Sequence, residues 1–167
     1  QSIHETRSLT QELSPPVLYE LGFEQAVEWL SEQLLEKHGI VTTFKKDDRP
    51  LSLSDNVRVL LFQATRELLF NVAKHSRASR ARISVHSDNH RVRVKVEDNG
   101  VGFNVAKISS HSYRNGNFGL FSIRERLDHL GGHIGIKSRP GGGTRVTIEV
   151  PLPFQRHARK NKKETAL

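Results

Sequence analysis

The chain has 167 residues, 35% of them hydrophobic and 26% charged, so it is long enough to bury the core of one globular domain and too short for two full ones. It has no apolar run of about 18 residues that could span a bilayer. It has no cysteine, which excludes a disulfide framework, a cysteine nucleophile and a cysteine-based zinc site. The net charge of +8 leaves two interpretations open, a solvated basic surface or attraction of a polyanion or phosphate. The sequence also lacks methionine, which indicates a piece of a longer protein.

The first part of the chain is predicted to hold two helices and a strand. Residues 1–13 carry a loose apolar stripe typical of the end of a longer helix, and Ser14-Pro15-Pro16 forms a hinge because proline removes a backbone donor. Residues 23–37 form the second helix and residues 40–45 a strand, with Gly39 suited to the helix C-cap. The inward side chains of the second helix are predicted to be Phe23, Val27, Leu30, Leu34 and Leu35.

A long helix that begins near Ser54 changes character halfway along its buried face. Its first half repeats apolar residues at helical spacing: Val57, Leu60, Leu61, Ala64 and Leu68. The same face then carries Glu67, Asn71 and Lys74, with His75 beside them. Buried polar groups without partners are costly, so either a ligand faces this end or the groups form a buried polar network. Carboxylate and amide oxygens suit magnesium, and the two basic side chains can meet phosphate charge.

Two stretches of strict alternation predict antiparallel strands. Residues 82–86 and 91–98 direct Ile83, Val85, Val92, Val94 and Val96 to one face, and the turn at 87–90 has hairpin chemistry. The same parity places Asp98 on the inner face at a strand end. Its carboxylate can accept a hydrogen bond from the amine of adenine, and the glycines of residues 98–103 allow a flat ligand to approach, although such a sequence also forms simple turns.

The remaining segments are predicted to be a lid-like loop, a helix and two strands. Residues 104–118 form the loop, and the glycine cluster at 116–120 leads into a helix of residues 119–130 whose first N–H groups favour phosphate. Residues 133–138 and 144–150 are the last strands, and the parity of the second places Thr144 inward. The order of elements predicts an α+β fold with helices on one face of a mainly antiparallel sheet.

Taken together, these motifs resemble those of sensor histidine kinases. Residues 67–75 look like the N box, residues 98–103 the D or G1 box, residues 116–119 with 124–132 the G2 region, and residues 141–144 the closing Gly-Thr motif. The form is similar to the nitrate-sensor and desaturase-sensor subfamily, and the resemblance covers about residues 5–152. It implies the Bergerat fold of the GHKL superfamily, a two-layer sandwich with helices packed on one face of a mixed, mainly antiparallel sheet.

The resemblance implies ATP and Mg²⁺ as ligands and assigns roles to individual residues. Asn71 would bind magnesium, Glu67 would support the ion or its water, and both would be catalytic. Lys74 and His75 would contact phosphates, while Asp98 would hold the adenine amine, assisted through water by Thr144. The further nucleotide-binding residues would be Gly100, Gly102, Phe103, Gly116, Asn117, Phe118, Gly119 and Leu120.

The resemblance also implies a domain plan and a set of partners. Residues 1–13 would end the dimerisation helix, 14–153 would form the catalytic ATP-binding domain, and 154–167 would be a basic, disordered tail. The γ-phosphoryl group would go to a histidine on a dimerisation domain mostly absent from this chain, because His4 would lie downstream of the true acceptor.

The partners would be that domain, a response regulator of the helix-turn-helix type, and a second copy in a full-length homodimer. This part would contact neither nucleic acid nor membrane, and would be a cytoplasmic domain of a parent that can be membrane-anchored. The alternatives are an anti-sigma-type serine kinase of the same fold, or a non-enzymatic basic binding module. The Lys74-His75 pair and the Pro15-Pro16 join argue against the serine kinase.

Overall fold

The computed structural model describes residues 15–48, 50–108 and 118–153. The elements, in chain order, are helices α1 (Pro16–Glu20) and α2 (Phe23–His38), strand β1 (Val41–Lys46), helix α3 (Asp55–Asn71) with a π-helical turn (Val72–Ser76), strands β2 (Arg80–Ser87) and β3 (Arg91–Asp98), a 3-10 turn (Val105–Ile108), helix α4 (Phe118–His129), and strands β4 (His133–Ser138) and β5 (Thr144–Pro151). The predicted helix at 1–13, the tail at 154–167 and residues 109–117 of the predicted loop lie outside the described residues. No helix in the described ranges is both long and apolar enough to cross a bilayer.

The strands form one sheet in the order β1-β2-β3-β5-β4. β1 runs parallel to β2 and every other pair is antiparallel, which confirms the mixed, mainly antiparallel sheet. A parallel pair needs a crossover connection, and α3 supplies it between β1 and β2. The predicted hairpin turn between β2 and β3 is held by Asp88, whose Oδ1 accepts the backbone N–H groups of His90 at 2.8 Å and Arg91 at 2.9 Å.

Helices α2, α3 and α4 cover one face of the sheet, as predicted. The core between the two layers includes the fully buried side chains of Val27, Leu61, Ile83, Val94 and Ile148. The other face of the sheet carries the polar side chains of the same strands, since successive residues of a strand point to opposite faces. The cavity described below is therefore formed at the edge of the apolar core, between helices and sheet.

Helix α2 shows one wrong prediction. Gly39 ends the helix at a φ of 66° with its N–H donating to Leu35 O at 2.9 Å, and four of the five predicted inward residues are buried. Leu35 is instead 50% exposed. Adjacent helix residues are about 100° apart around the axis, so Leu35 points away from the stripe that contains Leu30 and Leu34.

Two phenylalanines of α3 provide a matched test of this packing. Phe62 is fully buried and Phe70 is 54% exposed. We expect Phe62→Ala to lower the free energy of unfolding by about 3–5 kcal/mol because it leaves a cavity in the core. Phe70→Ala should cost less than about 1 kcal/mol, since it loses only surface contacts. Urea unfolding followed by circular dichroism measures both, and equal losses would contradict the layer assignment.

Candidate functional site

A cavity of about 220 Å³ lies where the end of α3 and the π-helical turn face the inner side of β3, β4 and β5. Its walls are mainly apolar, with a few polar groups at the strand and helix ends. The lining residues are Leu68, Asn71, Val72, His75, Ser76, Val96, Asp98, Val101, Gly102, Phe103, Leu120, Ile136, Thr144 and Val146. A concave apolar site with a few fixed polar groups is the usual form of a small-molecule site.

Asp98 enters the cavity from the last position of β3, as strand parity predicted. It is paired across the sheet with Thr144, the first residue of β5. Burial raises the pKa of the Asp98 carboxyl above its ordinary value of 3.8, while the backbone N–H groups of Gly100 and Thr144 act in the opposite direction. The Gly100 N–H donates to Oδ1 at 2.8 Å, which fixes the carboxylate as an acceptor for a ligand donor.

Ser138 and Thr144 form a small hydroxyl network beside this carboxylate. Ser138 Oγ donates to Gly143 O at 2.8 Å and accepts the Phe103 N–H at 2.9 Å. Because Ser138 has only one hydroxyl proton, Thr144 Oγ1 must be the donor in their 3.1 Å contact. The lone pairs of Thr144 Oγ1 are thus left to accept from a water or a ligand.

The glycine-rich loop after β3 is clamped between two other segments. Val101 N–H donates to Ser76 O at 2.8 Å, Gly141 N–H to Val101 O at 2.6 Å, and Gly143 N–H to Gly100 O at 3.0 Å. A side chain at Gly100 would overlap Ser76 O, and one at Gly143, where φ is 68°, would overlap Asp98 O. These glycines are therefore required by close backbone approach.

Asn99 lies within the same motif but faces away from the cavity. Its Oδ1 accepts the backbone N–H groups of Ser79 at 3.1 Å and Arg80 at 2.9 Å, and its Nδ2 donates to Ser79 Oγ at 3.0 Å. The side chain thus ties the loop to the start of β2, which gives this polar residue a structural role.

The end of α3 presents Asn71 and His75 to the cavity and directs Lys74 elsewhere. Asn71 is the last α-helical residue, and the wider π-helical turn that follows changes the direction of each later side chain. Ser76 stabilises the turn because its Oγ donates to Val72 O at 2.6 Å and accepts the Ala78 N–H at 3.0 Å. The Lys74 ammonium lies 5.6 Å from the centre of the exposed Phe70 ring, outside the cavity wall.

Glu67 also lies outside the cavity wall, because the start of α4 covers it. A side chain at Gly119 would overlap the Glu67 carboxylate, so the Gly119 backbone packs directly on that group. Gly100 also does not line the cavity, because it lies in the glycine loop that is hydrogen-bonded to the turn before β5. Gly116 and Asn117 lie outside the described residues, as does the side chain of Phe118. The structure thus brings Asn71, His75, Asp98, Gly102, Phe103, Leu120 and Thr144 together among the predicted residues.

The lining residues that the sequence did not predict are mostly apolar side chains of the cavity wall. Val96 and Val146 continue the alternating inner face, so their strand parity could have placed them in the cavity. Leu68 belongs to the predicted helical stripe in the same way. Ser76 lies beyond the motif residues, and its hydroxyl acts on the backbone, so no local pattern indicated it.

The donor set of the cavity is compatible with magnesium held mainly by phosphate oxygens and water. Within the described ranges, no group of three or more His, Cys, Asp or Glu side chains could hold a metal ion. Magnesium commonly takes only one or two protein oxygens beside substrate phosphates. The Asn71 side chain supplies such an oxygen at the cavity, so the residues present fit the ion as part of a phosphate complex.

The raised pKa of Asp98 predicts a pH-dependent effect of Asp98→Asn on stability. A carboxyl whose folded-state pKa is raised contributes stability below its unfolded pKa, and that contribution is lost as pH rises through the folded-state value. The neutral variant should therefore melt higher than the parent chain at pH 7, and the difference should shrink toward pH 4. Thermal melts at both pH values measure this, with Glu125→Gln as control because Glu125 is exposed on α4 and forms no ion pair with a described residue. A gap that grows on acidification would contradict the prediction.

Comparison with known proteins identifies the family. Residues 56–154 match the model of the histidine kinase-, DNA gyrase B- and HSP90-like ATPases. The chain is 30% identical to the sensor histidine kinase LiaS of Bacillus subtilis over 98% of this chain and 43% of that protein. It is 35% identical to the sensor histidine kinase MctS of Rhizobium johnstonii over 93% and 33%, respectively. It thus spans less than half of these relatives.

The fold also matches solved structures of histidine kinases. The blue-light activated histidine kinase of Erythrobacter litoralis EL346 superposes with a TM-score of 0.67 at 20% identity, covering 92% of this chain and 51% of that chain. The histidine kinase AdeS of Acinetobacter baumannii superposes with a TM-score of 0.63, also at 20% identity, covering 77% and 64%. These likenesses confirm the predicted two-layer fold, and the chain belongs to the family of histidine kinase-, DNA gyrase B- and HSP90-like ATPases.

Proposed function

We propose that this chain is the ATP-binding catalytic domain of a two-component sensor histidine kinase. It transfers the γ-phosphoryl group of ATP to a histidine on a helical dimerisation domain, and a response-regulator aspartate then receives the group. The supporting observation is that one cavity joins the half-buried Asp98 carboxylate at a strand end to Asn71 and His75 at a helix end. The family is one of ATPases, and its curated relatives named above are sensor histidine kinases.

The sheet side of the cavity is proposed to hold the adenine. Asp98 accepts a hydrogen bond from the exocyclic amine, and Thr144 Oγ1 accepts one from a bridging water. Val96, Ile136 and Val146 of the wall offer an apolar surface to the ring. The hydrogen bonds around the glycine loop hold the backbone at the sheet side of the cavity in place, so binding of adenine requires little reordering of that backbone.

The helix side is proposed to hold the phosphates. Asn71 would ligate Mg²⁺, which when bound neutralises phosphate charge, and His75 would contact phosphate oxygens. Lys74 would reach them by turning its flexible side chain away from Phe70. Glu67 would support the ion or its water once the segment carrying Gly119 moves off its carboxylate. Positioning and charge neutralisation are the main contributions expected of a protein in phosphoryl transfer.

The remaining assignments follow from the same proposal. Residues 1–13 end a dimerisation helix, 14–153 form the catalytic domain and 154–167 form a basic tail. Gly116, Asn117 and Phe118 belong to the lid over the nucleotide. The partners are the domain's own phosphoacceptor hairpin, a second copy in the full-length homodimer and a helix-turn-helix response regulator, all in the cytoplasm.

Asp98→Asn tests the nucleotide site. We expect its affinity for ATP to fall by about 10- to 100-fold, because an amide cannot reproduce the charged acceptor opposite the adenine amine. Isothermal titration with ATP and Mg²⁺ measures the change. Glu97→Gln alters the adjacent carboxylate on the opposite face and should bind like the parent chain. Equal affinities of the parent chain and Asp98→Asn would show that the cavity does not bind adenine in this way.

Transfer to an added phosphoacceptor hairpin tests the kinase. With ATP and Mg²⁺ the chain should label a histidine, giving a phosphate that is lost in acid and kept in alkali. Asn71→Ala should slow labelling by about 100-fold, while Asn56→Ala, at the exposed start of α3, should not. An acid-stable product would point to a serine kinase. Absent labelling alongside intact ATP binding would leave a nucleotide-binding module.

A further inference from the structure

The uncovered face of the sheet is strongly basic. It comprises the side chains of the five strands that point away from the helices, and we call it the outer face. Its cationic members are Lys45, Arg80, Arg82, Arg91, Arg93, Lys95, Lys137 and Arg145, against the carboxylates of Glu97 and Glu149. With its histidines neutral, this surface therefore has a net charge of +6.

The carboxylates of the outer face are already engaged. Glu149 pairs with Arg91 at 3.4 Å, with Arg93, and with His133 at 3.5 Å. Glu97 pairs with Arg145 at 2.6 Å. At the rim, Asp47 pairs with His86.

Five cations of the face form no ion pair with any described residue: Lys45, Arg80, Arg82, Lys95 and Lys137. Lys137 lies directly opposite Arg145 in the sheet register. Like charges directly opposite one another destabilise a sheet, so this face carries electrostatic repulsion that an anionic partner would relieve.

Helix α2 shows the opposite charge on the other layer of the molecule. Glu24, Glu28, Glu32 and Glu36 recur at every fourth residue and form one row that winds slowly around the helix. Glu28, Glu32 and Glu36 are exposed, and Glu24 is partly buried. Glu24 is paired with Lys46 at 2.5 Å, whereas the other three form no ion pair with the described residues. Like charges at this spacing disfavour a helix, so this row also carries electrostatic repulsion.

From these two surfaces we infer that copies of this chain associate head to tail, the acidic row of α2 on one copy lying across the basic outer face of the next. The dimensions agree: the row from Glu24 to Glu36 is about 18 Å long at 1.5 Å per residue. Five strands at a spacing of about 4.8 Å make a face about 19 Å wide. In the middle row of the face, Lys95 projects between the small side chains of Ser84 and Thr147, so its ammonium group is open to a carboxylate of a helix lying across the sheet.

The composition of the outer face favours an acidic protein surface over the other polyanions. In the described strands, Val41 at one edge is the single large apolar residue of this face, and the face has no Phe, Tyr or Trp ring on which a nucleic-acid base could stack. Its two imidazole rings, His86 and His133, lie beside the carboxylates of Asp47 and Glu149. Apart from Val41, the described strands give this face no large apolar side chain that could insert into a bilayer. Arginine forms forked hydrogen bonds with carboxylates, and a second copy supplies them in a row of matching length.

The contact is heterologous, because different surfaces of the two copies meet. No residue that lines the cavity belongs to either surface, so associated copies can still bind the ligand of the cavity. The association should depend on salt, since screening shortens from about 10 Å at 0.1 M ionic strength to about 3 Å at 1 M.

Sedimentation velocity over a concentration series at low and high salt tests this inference. The parent chain should form larger species at low salt and return to monomers at high salt. A sheet variant, Lys45→Glu with Lys95→Glu, and a helix variant, Glu28→Lys with Glu32→Lys, should each lower the association constant by about 10-fold or more. Mixing the two variants should restore pairwise association, because the sheet variant keeps the native acidic row and the helix variant keeps the native basic face, so one native contact can form. Arg124→Glu and Glu125→Lys on α4 are the control charge changes and should associate like the parent chain.

Circular dichroism establishes that each variant is folded, and Lys45→Gln with Lys95→Gln replaces the sheet variant if it is not. A chain that stays monomeric at low salt would overturn the inference, as would variants that associate like the parent chain or a mixture that does not recover association. Binding of the monomeric parent chain to phosphatidylglycerol vesicles or heparin, lost in the sheet variant, would show that the outer face serves another polyanion and would also overturn it.

Discussion

The backbone hydrogen bonds around the loop after β3 hold the polar end of the cavity in place. They join three segments that are far apart in sequence: the π-helical turn, the glycine loop and the turn before β5. Each junction allows so little space that a single methyl group at Gly100 or Gly143 would collide with a backbone oxygen. The Asp98 carboxylate and the Thr144 hydroxyl are thereby held side by side by backbone contacts of the chain itself. This part of the site is preorganised, whereas the contact between Glu67 and Gly119 depends on the placement of α4.

Much of this arrangement could be predicted because it follows from local periodicity. The alternation of β3 and β5 places Asp98 and Thr144 on the inner face, and the helical repeat of α3 brings Asn71 to the same side as its apolar stripe. Periodicity reports the direction of side chains as long as the backbone stays regular. It fails at the end of α3, since the π-helical turn depends on the Ser76 hydroxyl and on a left-handed Arg77 with φ of 53°. The direction of Lys74 therefore required the structure. The covering of Glu67 required it for a different reason, because it depends on where the start of α4 packs.

Which of the basic side chains form ion pairs could also be learned only from the tertiary structure. Arginine and lysine at alternate strand positions indicate a solvent-facing side, but which carboxylates they meet depends on strand order. The order places Glu149 beside Arg93 and Glu97 beside Arg145, and leaves Lys45 and Lys95 without such a partner among the described residues. Leu35 is a similar case, because only the position of the neighbouring core shows that its side of α2 is open.

The parallel pairing of β1 with β2 has a consequence for how the chain folds. Ser87 meets Val92 across a single turn, and Ser138 meets Thr144 across another, so these hairpins form from local contacts. Val41 pairs with Arg80 only when a loop that contains all of α3 has closed. Closing this longer loop costs more entropy than closing a hairpin turn. The pairing of β1 with β2, and that of β3 with β5, which joins Asp98 to Thr144 across α4, are therefore both expected after the two hairpins have formed. The sheet is thus assembled from two local hairpins, β2–β3 and β4–β5, which the longer connections through α3 and α4 join to the rest of the fold.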